Sequence, residues 1–184
     1  MSRSFTLLFA SGMILVATPA SAGAWSLGSH FGLSTLKGSK GGGSSTVLAW
    51  PANAIAYQPA LRVGFGDSRR THELQLDTGL FLLDEGGSTL TLFVGSAGYQ
   101  YTVASSWPNA PFANASVGFY REGGAARSAT APSFGVGIGM RHLVRDGHGA
   151  LRFEGRVDRL HEAPEFERPG LTSFGLRLGF DLWL

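Results

Sequence analysis

The chain has no cysteine. If it is exported, it has no disulfide staples, and its stability must come from the backbone hydrogen-bond ladder and from packing. Charge is sparse: Asp, Glu, Lys and Arg together make up 15% of the residues, and the formal net charge is +2. That balance gives no basic surface for nucleic acid. Lysine is almost missing, since Lys37 and Lys40 are the only two, both in one glycine-rich stretch. Read from sequence, this preference for arginine is a compositional bias of the source with no bearing on function. Beyond residue 22 no apolar run is long enough to cross a bilayer as a helix.

Catalytic signatures are missing as well. There is no thiol nucleophile, and none of the five histidines has a serine two residues later, as a lipid deacylase would want. The glycines at 135, 137 and 139 sit inside a strand pattern and open no helix, so they are no dinucleotide loop. His72-Glu73 and His161-Glu162 lack a third metal ligand at credible spacing. The expectation is a protein that is not an enzyme and holds no cofactor or metal.

At the N-terminus Arg3, the apolar stretch 5–16 and the small residues Ala20-Ser21-Ala22 read as a cleavable export signal over 1–22. Losing Arg3 with it lowers the net charge from +2 to +1. The remainder, 23–184, is one domain. It divides into eight period-2 segments, roughly 24–36, 58–66, 71–83, 88–102, 111–121, 132–145, 149–161 and 172–184, bounded by Gly, Pro, Asn, Asp and Ser. The longer connections, 37–57, 122–131 and 162–170, fall on one side of this succession. Residues 45–52 are compatible with a short strand extending the first hairpin, ended by Pro51.

Side chains alternate across a strand, so each segment has two faces. One face carries Leu61, Val63, Leu74, Leu76, Leu80, Val136, Ile138, Leu178, Phe180 and Leu182. The other carries His30, Arg62, Glu73, Gln75, Asp77, Asn114, Ser116, Arg141, Arg152, Glu154, Arg156, Asp158, Arg177 and Asp181, interspersed with glycines at 28, 32, 64, 79, 118, 135, 137, 139 and 179. Of these Arg62, Asp77, Arg141, Arg152, Glu154, Arg156, Asp158, Arg177 and Asp181 are the ion-pair candidates. The fourth segment is less regular: Leu90, Leu92 and Val94 oppose Phe93, Tyr99 and Tyr101, which predicts a bulge near Gly95.

These features predict an all-β fold, an eight-stranded antiparallel up-and-down transmembrane β-barrel. Its apolar face would be lipid-facing, and its charged face would form an ion-pair network plugging the lumen. Trp25, Tyr99, Tyr101, Trp107 and Trp183, with Phe65 and Phe112, would form an aromatic girdle at the membrane interface. The mirror solution is a soluble periplasmic lipocalin-like barrel with its apolar face inward.

The terminal segment 175–184, alternating Leu176, Leu178, Phe180 and Leu182 with Arg177, Gly179 and Asp181, resembles the closing strand of the small eight-stranded outer-membrane barrels, the OmpA-like and OmpX-like group of Gram-negative bacteria. The resemblance implies a bacterial outer-membrane location and a structural or surface-interaction role. It also implies contact with outer-membrane lipid and lipopolysaccharide, and handling by periplasmic chaperones and the outer-membrane assembly machinery. The other function weighed is a narrow channel or transporter for a small apolar solute.

Overall fold

The computed structural model of the chain describes residues 23–38, 44–49, 61–85, 88–123, 128–144, 147–162 and 170–184. Side chains at 45, 47–49, 80–90, 92 and 122 are excepted, which leaves Leu80 outside the described residues together with the expected export signal 1–22. The described chain is strand nearly throughout: β1 (Ala24–Gly38), β2 (Ser44–Ala49), β3 (Leu61–Gly66), β4 (His72–Glu85), β5 (Ser88–Thr102), β6 (Asn109–Gly123), β7 (Ser128–Leu143), β8 (Gly149–Leu160) and β9 (Leu171–Trp183). One 3₁₀ turn, Ala104–Ser106, joins β5 to β6.

All pairings are antiparallel, and each strand from β3 onward pairs with its successor. The sheet closes where β1 meets β9, from Ser26↔Trp183 to Gly38↔Leu171. Nine strands fill eight positions because β2 and β3 share one edge of β1. Residues 24–29 of β1 pair with β3, and 32–37 pair with β2. The second stave of the barrel is therefore split, and the short strand anticipated around 45–52 is its distal half. Among the described residues β2 and the 79–85 part of β4 have no ladder between them.

Both chain ends of the described barrel lie at one rim, the terminal rim, where the turns are short. Asp67 organises the first by accepting hydrogen bonds from the backbone N–H of Thr71 (2.6 Å) and His72 (3.2 Å). Another, between β7 and β8, uses Gly147 at φ +70°, a conformation that strains any residue with a Cβ. At the opposite, distal rim the hairpins run further than the turn residues suggest. β6 and β7 pair up to Gly123↔Ser128, so most of the expected loop 122–131 is strand.

The predicted bulge near Gly95 is absent. β5 runs in one-for-one register against both neighbours, with Gly95 opposite Thr78 on one side and Phe119 on the other. Val94, Gln100 and Thr102 all turn inward, while Tyr99 and Tyr101 turn outward. The alternation that looked broken is intact, and what changes along the strand is the chemistry of the interior.

Glycines on the inner face set how closely the walls approach. A Cβ at Gly118 would lie 2.5 Å from the Gly95 carbonyl oxygen and 2.6 Å from the Ser96 Cβ. At Gly155, on the outer face, the nearest atoms are 4.0 Å away. Gly118→Ala is therefore expected to cost about 1–3 kcal/mol through forced backbone displacement, and Gly155→Ala to stay within about 0.5 kcal/mol of the parent. Denaturant midpoints of the refolded barrel, read by the heat-modifiable gel shift, check both.

The charged lumen as candidate functional site

The strand register brings the charged faces of β3, β4, β7, β8 and β9 together in the interior. Leu76, Ile138 and Phe180 are 62%, 72% and 42% exposed on the outside, whereas Arg141, Arg152, Glu154, Arg177 and Asp181 have no exposure. This sidedness excludes the inverted arrangement with an apolar cavity. Leu61, Val63, Leu74, Val136, Leu178 and Leu182 are likewise outward and exposed.

Five arginines and five carboxylates meet inside. Arg62, from β3, makes a bidentate pair with its cross-strand partner Asp77 on β4, Nε to Oδ1 at 2.6 Å and Nη2 to Oδ2 at 2.8 Å. Arg141 sits between Glu73 (2.7 Å) and Asp181 (2.9 Å), joining β4, β7 and β9. Arg152 pairs with Glu154 at 2.9 Å and stacks over the Phe112 ring at 4.2 Å. Arg156 binds Asp158 at 2.6 Å, donates to the Asn114 side-chain oxygen at 2.8 Å and reaches the Ser116 hydroxyl. Arg177 lies 3.7 Å from Glu154 and 4.0 Å from Asp158, beyond hydrogen-bond distance. Arg62, Asp77, Arg141, Arg152, Glu154, Arg156, Asp158, Arg177 and Asp181 are all buried, each within 4.0 Å of an opposite charge.

Glu73, on the charged face but outside the nine ion-pair candidates, also accepts a hydrogen bond from Ser26 at 2.7 Å. Asn114, Gln75 and fully buried His30 lie inside as their parity predicts, and Gln75 leads into a chain through Gln100 and Thr102 (3.1 and 2.9 Å), two residues that the sequence reading does not single out. The signal that finds Gln100 and Thr102 is again strand parity, since both lie on the inward face of β5 with Val94.

The polarity of the interior varies along the barrel axis. Toward the distal rim the inward residues become Leu36, Val94, Tyr120, Ala129, Ala131 and Leu160, which pack as one apolar cluster. At the same height the outward residues turn polar: Thr35, Lys37, Arg121, Thr130 and Thr172. Toward the terminal rim Phe112, Ala110, Ala150 and Trp183 close the interior. Charge thus fills the lumen below the distal apolar cluster and reaches the terminal rim, where Arg141 and Asp181 lie across the ladder from Ala110 and Ala150.

The girdle needs one correction. Trp25, Tyr99 and Tyr101 are outward and about half exposed, and Trp107 is half-buried at the rim. Trp183 and Phe112, at 5% and 4% exposure, instead point into the barrel. Their parity is that of Asp181 and Asn114, and each offers a ring face to an arginine. Arg70 stacks 4.0 Å from the Trp183 ring while Trp107 meets the same ring edge-on, and Arg152 covers Phe112. Burial against the rim, with the Arg141 charge nearby, lowers the Arg70 pKa below its ordinary value.

A buried charge that loses its only partner is costly, whereas replacing both partners with apolar groups is not. Arg62 and Asp77 form the best-isolated pair. Arg62→Met or Asp77→Leu alone is expected to cost about 3–5 kcal/mol, and the double variant much less than the sum. Urea unfolding of the four proteins in one detergent supplies the cycle.

No protein-family model and no curated protein matches the sequence. Solved structures do match. The crystal structure of Neisserial surface protein A aligns over 88% of this chain and 98% of its own, with a TM-score of 0.63 at 15% identity. Ail, the attachment invasion locus protein of Yersinia pestis, aligns over 88% and 99% at 9% identity, with a TM-score of 0.48. The N-terminal β-barrel domain of Pseudomonas aeruginosa OprF aligns over 88% and 100% at 13%, with a TM-score of 0.42. Closed by β1 against β9, apolar outside and charged within, the chain has the fold of the small eight-stranded outer-membrane barrels.

Proposed function

We propose that this protein is a bacterial outer-membrane barrel whose ion-paired lumen is a closed strut rather than a pore, and which presents its distal hairpins for surface interactions. The observation that carries this reading is the continuous outward belt of large apolar side chains. It includes Trp25, Leu27, Phe31 and Leu33 on β1, Phe134 through Met140 at alternate positions on β7, and Phe174 through Leu182 at alternate positions on β9. A belt around the whole circumference far exceeds the apolar patches that water-soluble monomers expose. It is about nine residues tall on β1, from Trp25 to Leu33, which matches the strand length needed for a hydrocarbon core.

Within this reading the terminal rim faces the periplasm, and Trp25, Tyr99 and Tyr101 anchor that interface. The distal cations Lys37, Arg121 and Arg159 face the outer leaflet, where they suit anionic lipopolysaccharide. Residues 1–22 direct export, and chaperones and the assembly machinery deliver the unfolded chain. Support for a closed lumen comes from the equal number of arginines and carboxylates, from the apolar cluster at the distal end and from Phe112 and Trp183 buried toward the terminal rim. An open pore would leave these charges hydrated and the ends polar.

The protein is expected in the sarkosyl-insoluble fraction, with a heat-modifiable gel mobility. Refolded into planar bilayers it should give no stable steps of porin size. Release by osmotic shock would overturn the location, and a persistent large unit conductance would overturn the closed lumen.

A further inference from the structure

Two clefts open side by side at the terminal rim. The smaller, about 270 Å³, is lined by Phe65, Asp67, His72, Glu73, Leu74 and Tyr99 among others, the Glu73 carboxylate itself being turned into the lumen. The larger, about 540 Å³, lies between the 67–71 turn and the β5–β6 connection, and no carboxylate lines it. Its polar groups are the Arg69 guanidinium and the hydroxyls of Thr71, Tyr101 and Ser105, with Trp107 forming one wall.

Arg69 and Arg70 are neighbours with opposite fates. Arg70, held at φ 58°, folds beneath the barrel onto Trp183. Arg69 stays exposed, and no carboxylate pairs with it among the described residues. Tyr101 is fixed by the His72 ring, 5.4 Å between centroids. His72 also hydrogen-bonds the Tyr99 hydroxyl at 2.5 Å, so that hydroxyl is engaged while the one on Tyr101 stays available. From the cleft the outer wall continues as Tyr99, Leu74 and Ala113, an apolar track leading up the belt.

We propose that the larger cleft binds the phosphodiester of a glycerophospholipid from the periplasmic leaflet. Arg69 and the hydroxyls hold the phosphate, and the acyl chains lie along the Tyr99–Leu74 track. A guanidinium fork with hydroxyl donors is the chemistry that recognises phosphate oxygens. Continuity with the belt favours a phosphate that carries acyl chains over a free anion. The inference rests on the outer-membrane reading, which orients this rim toward phospholipid.

The test is native mass spectrometry of the refolded full barrel, with folding read in each sample from the heat-modifiable shift. Phosphatidylglycerol is offered alongside diacylglycerol, which lacks the phosphate. The parent should retain one phosphatidylglycerol and no diacylglycerol. Arg69→Ala should weaken retention about fivefold, Tyr101→Phe should weaken it less, and Arg121→Ala, on the opposite rim, should not change it. Equal retention by the parent and Arg69→Ala overturns the site. Displacement of the lipid by millimolar inorganic phosphate overturns the lipid assignment in favour of a free anion. A barrel that folds but refuses membranes overturns the outer-membrane reading and the site with it, whereas a barrel that inserts with unselective adducts overturns the site alone.

Discussion

A guanidinium removed from water needs a carboxylate, and in this barrel that requirement ties the wall together. Arg141 is shared between Glu73 and Asp181, and Glu154 is approached by Arg152, Arg156 and Arg177. One link joins strands far apart in sequence, β4 to β9 through Arg141, while Glu154 ties β8 to its neighbour β9. Removing a charge from Arg62–Asp77 affects one pair, but removing Arg141 would take the cation from Glu73 and leave Asp181 only Arg152, 3.8 Å away. The glycines opposite the charges make this possible. A Cβ at Gly137 would intrude on the Glu154 carboxylate, and one at Gly135 on Asp158 and Arg156. Large charged side chains from β8 occupy the volume that β7 leaves open.

The axial change in polarity explains both the regularity of the wall and the irregularity of its pattern. In the belt, apolar residues face out and charges face in. Near the distal rim the relation reverses, with Leu36, Val94, Tyr120 and Leu160 inside and Lys37, Arg121 and Thr130 outside. The backbone keeps its phase through the reversal, because the sheet twists continuously and a slipped residue would turn every side chain over. The part of the barrel beyond the hydrocarbon then packs as a water-soluble barrel does. Among the described residues, the edges of β2 and of 79–85 that carry no ladder sit at this level, near the Thr35–Thr46 hydroxyl contact, where water can satisfy exposed amides and carbonyls.

Strand positions and faces were legible in the sequence because two residues per repeat is a short code that a single chain displays directly. Arg152, Glu154, Arg156 and Asp158 could be assigned to the interior by parity alone, and all four are buried. Their partners could not be assigned. That Arg141 meets Glu73 depends on the stagger of three intervening ladders, which no local pattern records. The same limit explains the bulge, since polarity reversal and register slip produce the same break in an alternating pattern. Trp183 and Phe112 were placed at the interface because of residue type, although their parity already put them inside. The splitting of one stave into β2 and β3 depends on both halves finding the same edge of β1, which is a tertiary fact.

The near-absence of lysine, uninformative when read as composition, gains a physical meaning from the lumen. Every buried cation of the described network is an arginine, and most touch more than one group in different directions. Arg156 spans Asp158, Glu154, Asn114 and Ser116, while Arg62 and Asp77 meet as two parallel hydrogen bonds. A lysine ammonium is a strongly hydrated point charge with three donors, and it can neither match a carboxylate edge-on nor lie flat against Phe112 and Trp183. In a narrow interior where cation and anion counts are equal, each substitution by lysine would keep the charge and lose the geometry. Lys37, the described lysine, stands on the exposed distal rim, where hydration costs nothing and shape decides little.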